Sequence, residues 1–252
     1  LQRLEGIWSV YEPTVGSDLI VTEAPSVEGV TSALKIKHAV QNEAIMQHLR
    51  KADMWSAENL YIEWGCGNAN LSQQIQQDLH SDHILVDRKT PKTKGDSKRD
   101  RSRLWKRIVI DIKDIDLSEV PELQPESDYS VAHPHSSICS FSKHLCGAAT
   151  DLTIRGLEAL NGVRNSGSVL IALCCHHRCS WQSYVGREFF EDTLGLTKED
   201  FEVMVRMSSW ATSGEHSDAP SAGSWGDVLT SEAKTLWGWR TKRILDVGRV
   251  KY

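Results

Sequence analysis

Apolar residues in this chain fall into short, mostly apolar runs, separated by longer stretches in which they recur at three- and four-residue steps. The runs Leu60–Trp64, His83–Val86, Arg107–Ile110, Ile138–Phe141, Ser168–Leu173 and Phe201–Val205 have strand length and predict six short strands, the first of them buried and Ile138–Phe141 poor in strand propensity. Leu19–Thr22 is a further candidate strand in a turn-rich opening. The longer stretches predict helices. His38–Trp55 carries Ala39, Ile45, Met46 and Leu49 on one side, and Leu71–Leu79 is placed to be capped by Asn70. Ala149–Leu160, Ser183–Asp192 and Ser231–Leu245 complete the helical set. Strands without alternation, interleaved with helices, predict an α/β fold: a mostly parallel, doubly wound sheet covered on both faces. Residues 1–37 lack periodicity and read as an extension packed on a domain that spans 38–252.

In such a sheet, functional side chains gather just past the carboxyl ends of the strands. Those ends carry Glu63 and Gly65, then Asp87, Asp111, the pair Lys143-His144, and Cys174 to His177. The first end continues as Gly65-Cys66-Gly67 into a helix, a turn that lets backbone approach a ligand closely. Asp87 stands 20 residues after Gly67, at the next strand end, where an acidic residue meets ribose hydroxyls in nucleotide-binding units. Position 70 is Asn, so the third small residue that a pyrophosphate favours is missing. A cofactor with adenosine but no phosphate fits better, and S-adenosylmethionine is such a molecule. Glu63, Gly65, Cys66, Gly67, Asn70, Asp87, Asp111, Ile112 and Lys143 are the candidate contacts, with Asp111 or Ile112 near the adenine. The bland alternative is an ordinary α/β turn with two surface carboxylates.

Composition changes this picture little. A chain of 252 residues suits one large domain, or one and a half, and 40% hydrophobic with 25% charged residues is usual for globular proteins. The net charge of −5 argues against wholesale coating of nucleic acid. No apolar run reaches 18 residues, so neither a spanning helix nor a membrane partner is expected. Six cysteines and no signal-like segment fit a reduced, intracellular compartment, nucleus or cytoplasm. The chain opens on Leu1 and reads as an excised part of a longer protein; a monomer is expected.

Local charge says more. Arg88, Lys89, Lys92, Lys94, Lys98, Arg99, Arg101 and Arg103 face only Asp96 and Asp100 within one 16-residue loop. Basic loops of this kind suit phosphate contacts and carry little base specificity. The plain alternative is a solvated linker.

The segments "KHLCGAATDL" (Lys143–Leu152), "IALCCHHRCSWQSYVGREFF" (Ile171–Phe190), "RMSSWAT" (Arg206–Thr212) and "KRILDVGRVKY" (Lys242–Tyr252) resemble the catalytic domain of the eukaryotic tRNA 2′-O-methyltransferases that act on position 4 of the acceptor stem. The resemblance runs from about Leu60 to Trp210 and more weakly to Tyr252. It implies a Rossmann-like class I methyltransferase fold, S-adenosylmethionine as donor and S-adenosylhomocysteine as product. It also implies a tRNA ribose hydroxyl as acceptor. Relatives of that family carry small zinc-finger modules ahead of this domain. No Cys precedes Cys66 here, so zinc is expected only in those modules, absent from this chain.

Methyl transfer to a weakly acidic hydroxyl needs alignment and a base. His144 is the favoured base, with Lys143 beside the acceptor oxygen or a phosphate; His176 and His177 are further candidates. Arg206 would hold a phosphate, Ser208 and Ser209 would offer hydroxyls, and Asp151 would orient the basic pair or cap a helix. "CCHHRC" invites a zinc reading. Adjacent residues of an extended chain point to opposite faces, however, so Cys174 and Cys175 are expected to pack as small hydrophobes, with no metal. Three alternatives stay open: a methyltransferase for another RNA, one for a protein or small molecule, and a non-catalytic RNA-binding module.

Overall fold

The computed structural model describes residues 1–11, 33–91, 96, 99–158, 160, 166–211 and 229–252. The candidate strand Leu19–Thr22 lies outside them. The chain divides into two compact units: one of Leu1–Ser17, Cys146–Leu152 and Leu173–Tyr252, the other of Asp18–Leu145 and Thr153–Ala172.

The second unit holds the sheet. Five strands, β1 (Leu60–Trp64), β2 (Asp82–Asp87), β3 (Trp105–Val109), β4 (Ile138–Lys143) and β5 (Ser166–Ala172), run parallel in the order β3-β2-β1-β4-β5. This is a Rossmann-like, doubly wound arrangement. The strand order reverses between β1 and β4, which makes their carboxyl ends the topological switch point. Tyr61, Cys139 and Phe141 share a core with Ile45, Met46 and Leu49 of helix α2 (Ala33–Lys51) and with Leu71 and Ile75 of α3 (Asn70–Leu79). All five residues of β1 are buried, and this is why Leu60, Tyr61, Ile62 and Trp64 follow one another without polar alternation, with Glu63 the one buried charge.

The first unit is helical and aromatic. Trp8 of α1 (Gln2–Tyr11) joins Tyr184, Phe189 and Phe190, Phe201 and Met204 of α6 (Lys198–Met207), and Ile244 and Leu245 of α7 (Ser231–Val250) in one core. Tyr184 donates its hydroxyl to the Leu245 carbonyl at 2.7 Å. Among the described residues two α-helices have no counterpart among the expected elements: α1, and α4 (Asp128–Ala132) within the loop before β4. Helix α5 (Ala148–Glu158) starts in the first unit and ends in the second.

Three expectations need correction. Phe201–Val205 is not a strand but the middle of α6. Thr197 and Asp200 form a capping box that starts the helix, and Phe201, Met204 and Val205 are buried while Glu202, Val203 and Arg206 are exposed, a helical repeat. The helix expected over Ser183–Asp192 is a set of turns followed by a π-helical turn, Phe189–Thr193. Asn70 does not cap α3 but opens it. The cap position is Ala69, at φ 55, forced left-handed by the turn before it and without a side-chain cap bond. Among the described residues, no helix is long and apolar enough to cross a membrane.

Candidate active site

The turn after β1 is anchored to the end of β2. Gly65 and Cys66 both donate their N–H to the Val86 carbonyl, at 2.8 and 3.2 Å, and Ala69 closes the turn on the Cys66 carbonyl at 2.7 Å. Gly65 and Gly67 take φ of 63° and 50°, where a side chain is strained. A Cβ at Gly67 would meet nothing within 4 Å, and one at Gly65 only Leu145 Cδ1 at 3.4 Å, so the space over the turn is open to a ligand.

Carboxylates frame that space. Asp87 accepts from Gly67 N and from Lys89 N, both at 2.8 Å, one bond per oxygen. Each oxygen keeps a lone pair for a ribose hydroxyl. Ile110 N donates to the Asp87 carbonyl at 3.0 Å, which puts the Asp111-Ile112 corner next to it. Asp111 caps its own short turn, accepting from Lys113 N at 3.2 Å, and Ile112 is half-buried. Glu63 is buried and accepts from Ser72 Oγ at 2.5 Å and Ser72 N at 3.3 Å. Desolvation raises its carboxyl from the ordinary 4.5 to about 7, against the pull of the Ser72 bonds, Arg107 and Lys143.

Arg107 is absent from the candidates that the sequence offers, yet it ties this corner together. It bonds Cys66 Sγ at 2.9 Å, the Gly67 carbonyl at 3.0 Å, and Asp96 through two nitrogens at 2.9 Å. Its one sequence signal is its place, as a cation, at the head of the run Arg107–Ile110. Burial pushes the Cys66 thiol up to about 12, so Cys66 shapes the turn and is no nucleophile.

Across the switch point, β4 ends in Lys143-His144. Lys143 Nζ donates to Asn42 Oδ1 at 2.7 Å and reaches the His38 carbonyl at 3.3 Å and His38 Nδ1 at 3.2 Å. Partial burial lowers its pKa, with Glu63 pulling the other way. His144 is exposed at φ 64, a conformation that non-glycine residues seldom adopt outside functional or strained positions. Its ring stands edge-on to His38, centroids 6.4 Å apart. Desolvation, then Lys143, His38 and Lys37, push its pKa below the usual histidine value. It is therefore neutral at neutral pH and able to accept a proton.

The remaining candidates belong to the other unit. His176 is buried, with Nε2 2.7 Å from Asp246 Oδ1, which gives it a structural partner. His177 is exposed on the same short turn. Arg206 is exposed in the last turn of α6 and lines a cavity with Trp181 and Lys198. Ser208 and Ser209 turn their hydroxyls back onto the Val205 and Arg206 carbonyls at 2.6 and 2.8 Å, as helix-end groups do. Asp151, expected to orient the Lys143-His144 pair or cap a helix, is committed instead to a buried ion pair with Arg249, with contacts of 2.9 and 3.1 Å.

The expectation that zinc has no place in this chain is overturned. Beyond Ala172 the strand has ended, and Cys175, at φ −112° and ψ 63°, no longer obeys strand alternation. Cys174 and Cys175 consequently turn the same way, and their sulfurs converge with that of Cys146 in a cluster able to hold a metal ion.

In the basic loop, Arg88, Lys89, Arg99, Arg101 and Arg103 are exposed, while Lys92, Lys94 and Lys98 lie outside the described residues. Both acids of the run are engaged elsewhere: Asp96 by Arg107, and Asp100 by Ser102 and His80.

Comparison with known proteins gives a family and a set of relatives. The family model described as methyltransferase TRM13 matches residues 40–252. The Mus musculus protein named tRNA:m(4)X modification enzyme TRM13 homolog is 29% identical, over 98% of this chain and 65% of its own length. The Eremothecium gossypii tRNA:m(4)X modification enzyme TRM13 is 32% identical over 86% and 56%, and the Homo sapiens homolog 28% identical over 86% and 58%. The chain thus spans less than two thirds of each of these relatives. No solved structure gave a significant match.

Proposed function

This chain belongs to the methyltransferase TRM13 family, and on that premise we propose that it transfers a methyl group from S-adenosylmethionine to the ribose 2′-hydroxyl of nucleotide 4 in the tRNA acceptor stem. The observation that carries the reading is the open Gly65–Gly67 turn at the switch point, with Asp87 on one side and Lys143-His144 on the other. The donor supplies an electrophilic methyl on a sulfonium centre. Asp87 holds the adenosine ribose through its remaining lone pairs, and the Asp111-Ile112 corner borders the adenine. Glu63 receives the positive charge of the amino-acid end. His144, kept neutral by its surroundings, takes the proton from the attacking hydroxyl. Lys143, pinned by Asn42 and His38, stands by the acceptor oxygen or a neighbouring phosphate. The exposed cations Arg88, Lys89, Arg99, Arg101 and Arg103 grip the acceptor-stem backbone.

Incubation with methyl-labelled donor and a tRNA set, followed by mapping of the labelled nucleotide, tests this. The reading requires a backbone linkage at nucleotide 4 that resists alkaline cleavage. Label on a base, or at another nucleotide, refutes it.

A further inference from the structure

We propose that Cys146, Cys174 and Cys175 form a three-thiolate site for one zinc(II) ion, independent of the donor-binding residues. The Cys146 and Cys174 sulfurs lie 3.0 Å apart, those of Cys174 and Cys175 3.3 Å, and all three fall within 4.8 Å of one another. Zinc–sulfur bonds of ~2.3 Å in a tetrahedron give sulfur–sulfur edges of ~3.8 Å, so a spread of under ~1 Å makes these atoms one face of such a site. A disulfide would need ~2.05 Å, and all six cysteines are thiols.

The ligands come from two chain segments 28 residues apart, and both are fixed. Cys146 precedes Gly147, whose φ is 62°; a Cβ at Gly147 would lie 2.5 Å from the Arg178 carbonyl oxygen. Glycine alone therefore lets the Cys146 turn settle against the segment that carries the other two thiols. That segment is held in turn. Arg178 N bonds the Cys175 carbonyl at 3.1 Å, Cys179 N bonds the His176 carbonyl at 3.0 Å, and His176 is clamped by Asp246. Ligands drawn from two separate chain segments are the usual source of a zinc site.

The ligand set selects the metal. Thiolates favour zinc and other soft ions over magnesium or calcium. Three thiolates and one zinc(II) carry a net charge of −1, and Lys242 is the cation whose field acts on Cys174. Among the described residues no fourth His, Cys, Asp or Glu joins the cluster, so water completes the tetrahedron. Bound metal would tie the loop after β4 to the loop after β5.

The test uses the whole chain, stripped of metal and titrated with cobalt(II), then with zinc(II). We expect a thiolate-to-cobalt charge-transfer band that saturates at one equivalent and is displaced by zinc. Cys146→Ser and Cys174→Ser should each weaken zinc binding by more than about 100-fold, the upper range for losing only an outer-shell partner. Cys139→Ala, elsewhere in the sheet, should keep the band. Folded wild-type protein that gives no band overturns the proposal without reference to any variant. So does a band undiminished in folded Cys146→Ser, or a Cys146–Cys174 disulfide that persists under reductant with no metal uptake.

Discussion

Donor binding should expel a proton from Glu63. Burial raises its carboxyl from 4.5 to about 7, so at pH 7 about half of the donor-free molecules carry that proton. A donor with ammonium and sulfonium charges over the adjoining turn favours the carboxylate. If the bound-state value returns to the ordinary 4.5, binding releases about 0.5 proton at pH 7, about 0.9 at pH 6 and about 0.1 at pH 8. Donor affinity then falls as pH drops below 7, about tenfold per unit until 4.5, for a total near ~3 kcal/mol. The donor-free fold shows the opposite trend. Its unfolded chain loses the Glu63 proton from 4.5 upward while the native state retains it to about 7, so this group costs stability as pH rises through that window. Titration calorimetry with S-adenosylmethionine in two buffers of different ionisation heat counts the released protons. Glu63→Gln should abolish the release and flatten the pH dependence. Equal heats in both buffers at pH 6, or an unchanged release in Glu63→Gln, would refute the placement of the donor's cationic end.

His144→Ala should lower turnover by about 10²–10⁴-fold while donor affinity survives. The wild-type rate should fall on the acid side only below the usual histidine value, since its pKa is depressed; a limb at higher pH excludes His144. Replacing Arg99, Arg101 and Arg103 by Gln should reduce the slope of log affinity for tRNA against log salt by about 2, at ~0.7–0.9 for each phosphate no longer neutralised, and an unchanged slope removes the loop from the interface. Arg249→Met leaves Asp151 charged and buried, and urea unfolding should show a loss of about 3–5 kcal/mol, much of it recovered in the double variant with Asp151→Leu.

The parts of the fold that can be read from sequence are those where one residue type dictates one environment. β1 emerges with its bounds intact because a strand buried on both faces is apolar at four of its five positions, and the exception, Glu63, is a site residue. The strand-end residues follow from parallel topology alone, and Gly65, Gly67 and Asp87 do share one corner. Phe201–Val205 misleads because five mostly apolar residues fit a strand or one helical face equally well; only Thr197 and Asp200, read as a capping box, separate the two. The Lys143 clamp is invisible in the sequence because Asn42 lies 101 residues away, and no spacing rule joins them. Cys174 and Cys175 mislead because strand alternation does not extend past Ala172, where the strand stops.

The central claim is that the donor lies over the turn between β1 and α3. Ultraviolet cross-linking of S-adenosylmethionine to the folded chain, followed by peptide mapping, tests it most directly. The account predicts adducts within Leu60–Asp87 or at the Asp111-Ile112 corner, suppressed by excess S-adenosylhomocysteine. Adducts confined to Cys179–Arg206, or insensitive to that competitor, would contradict it.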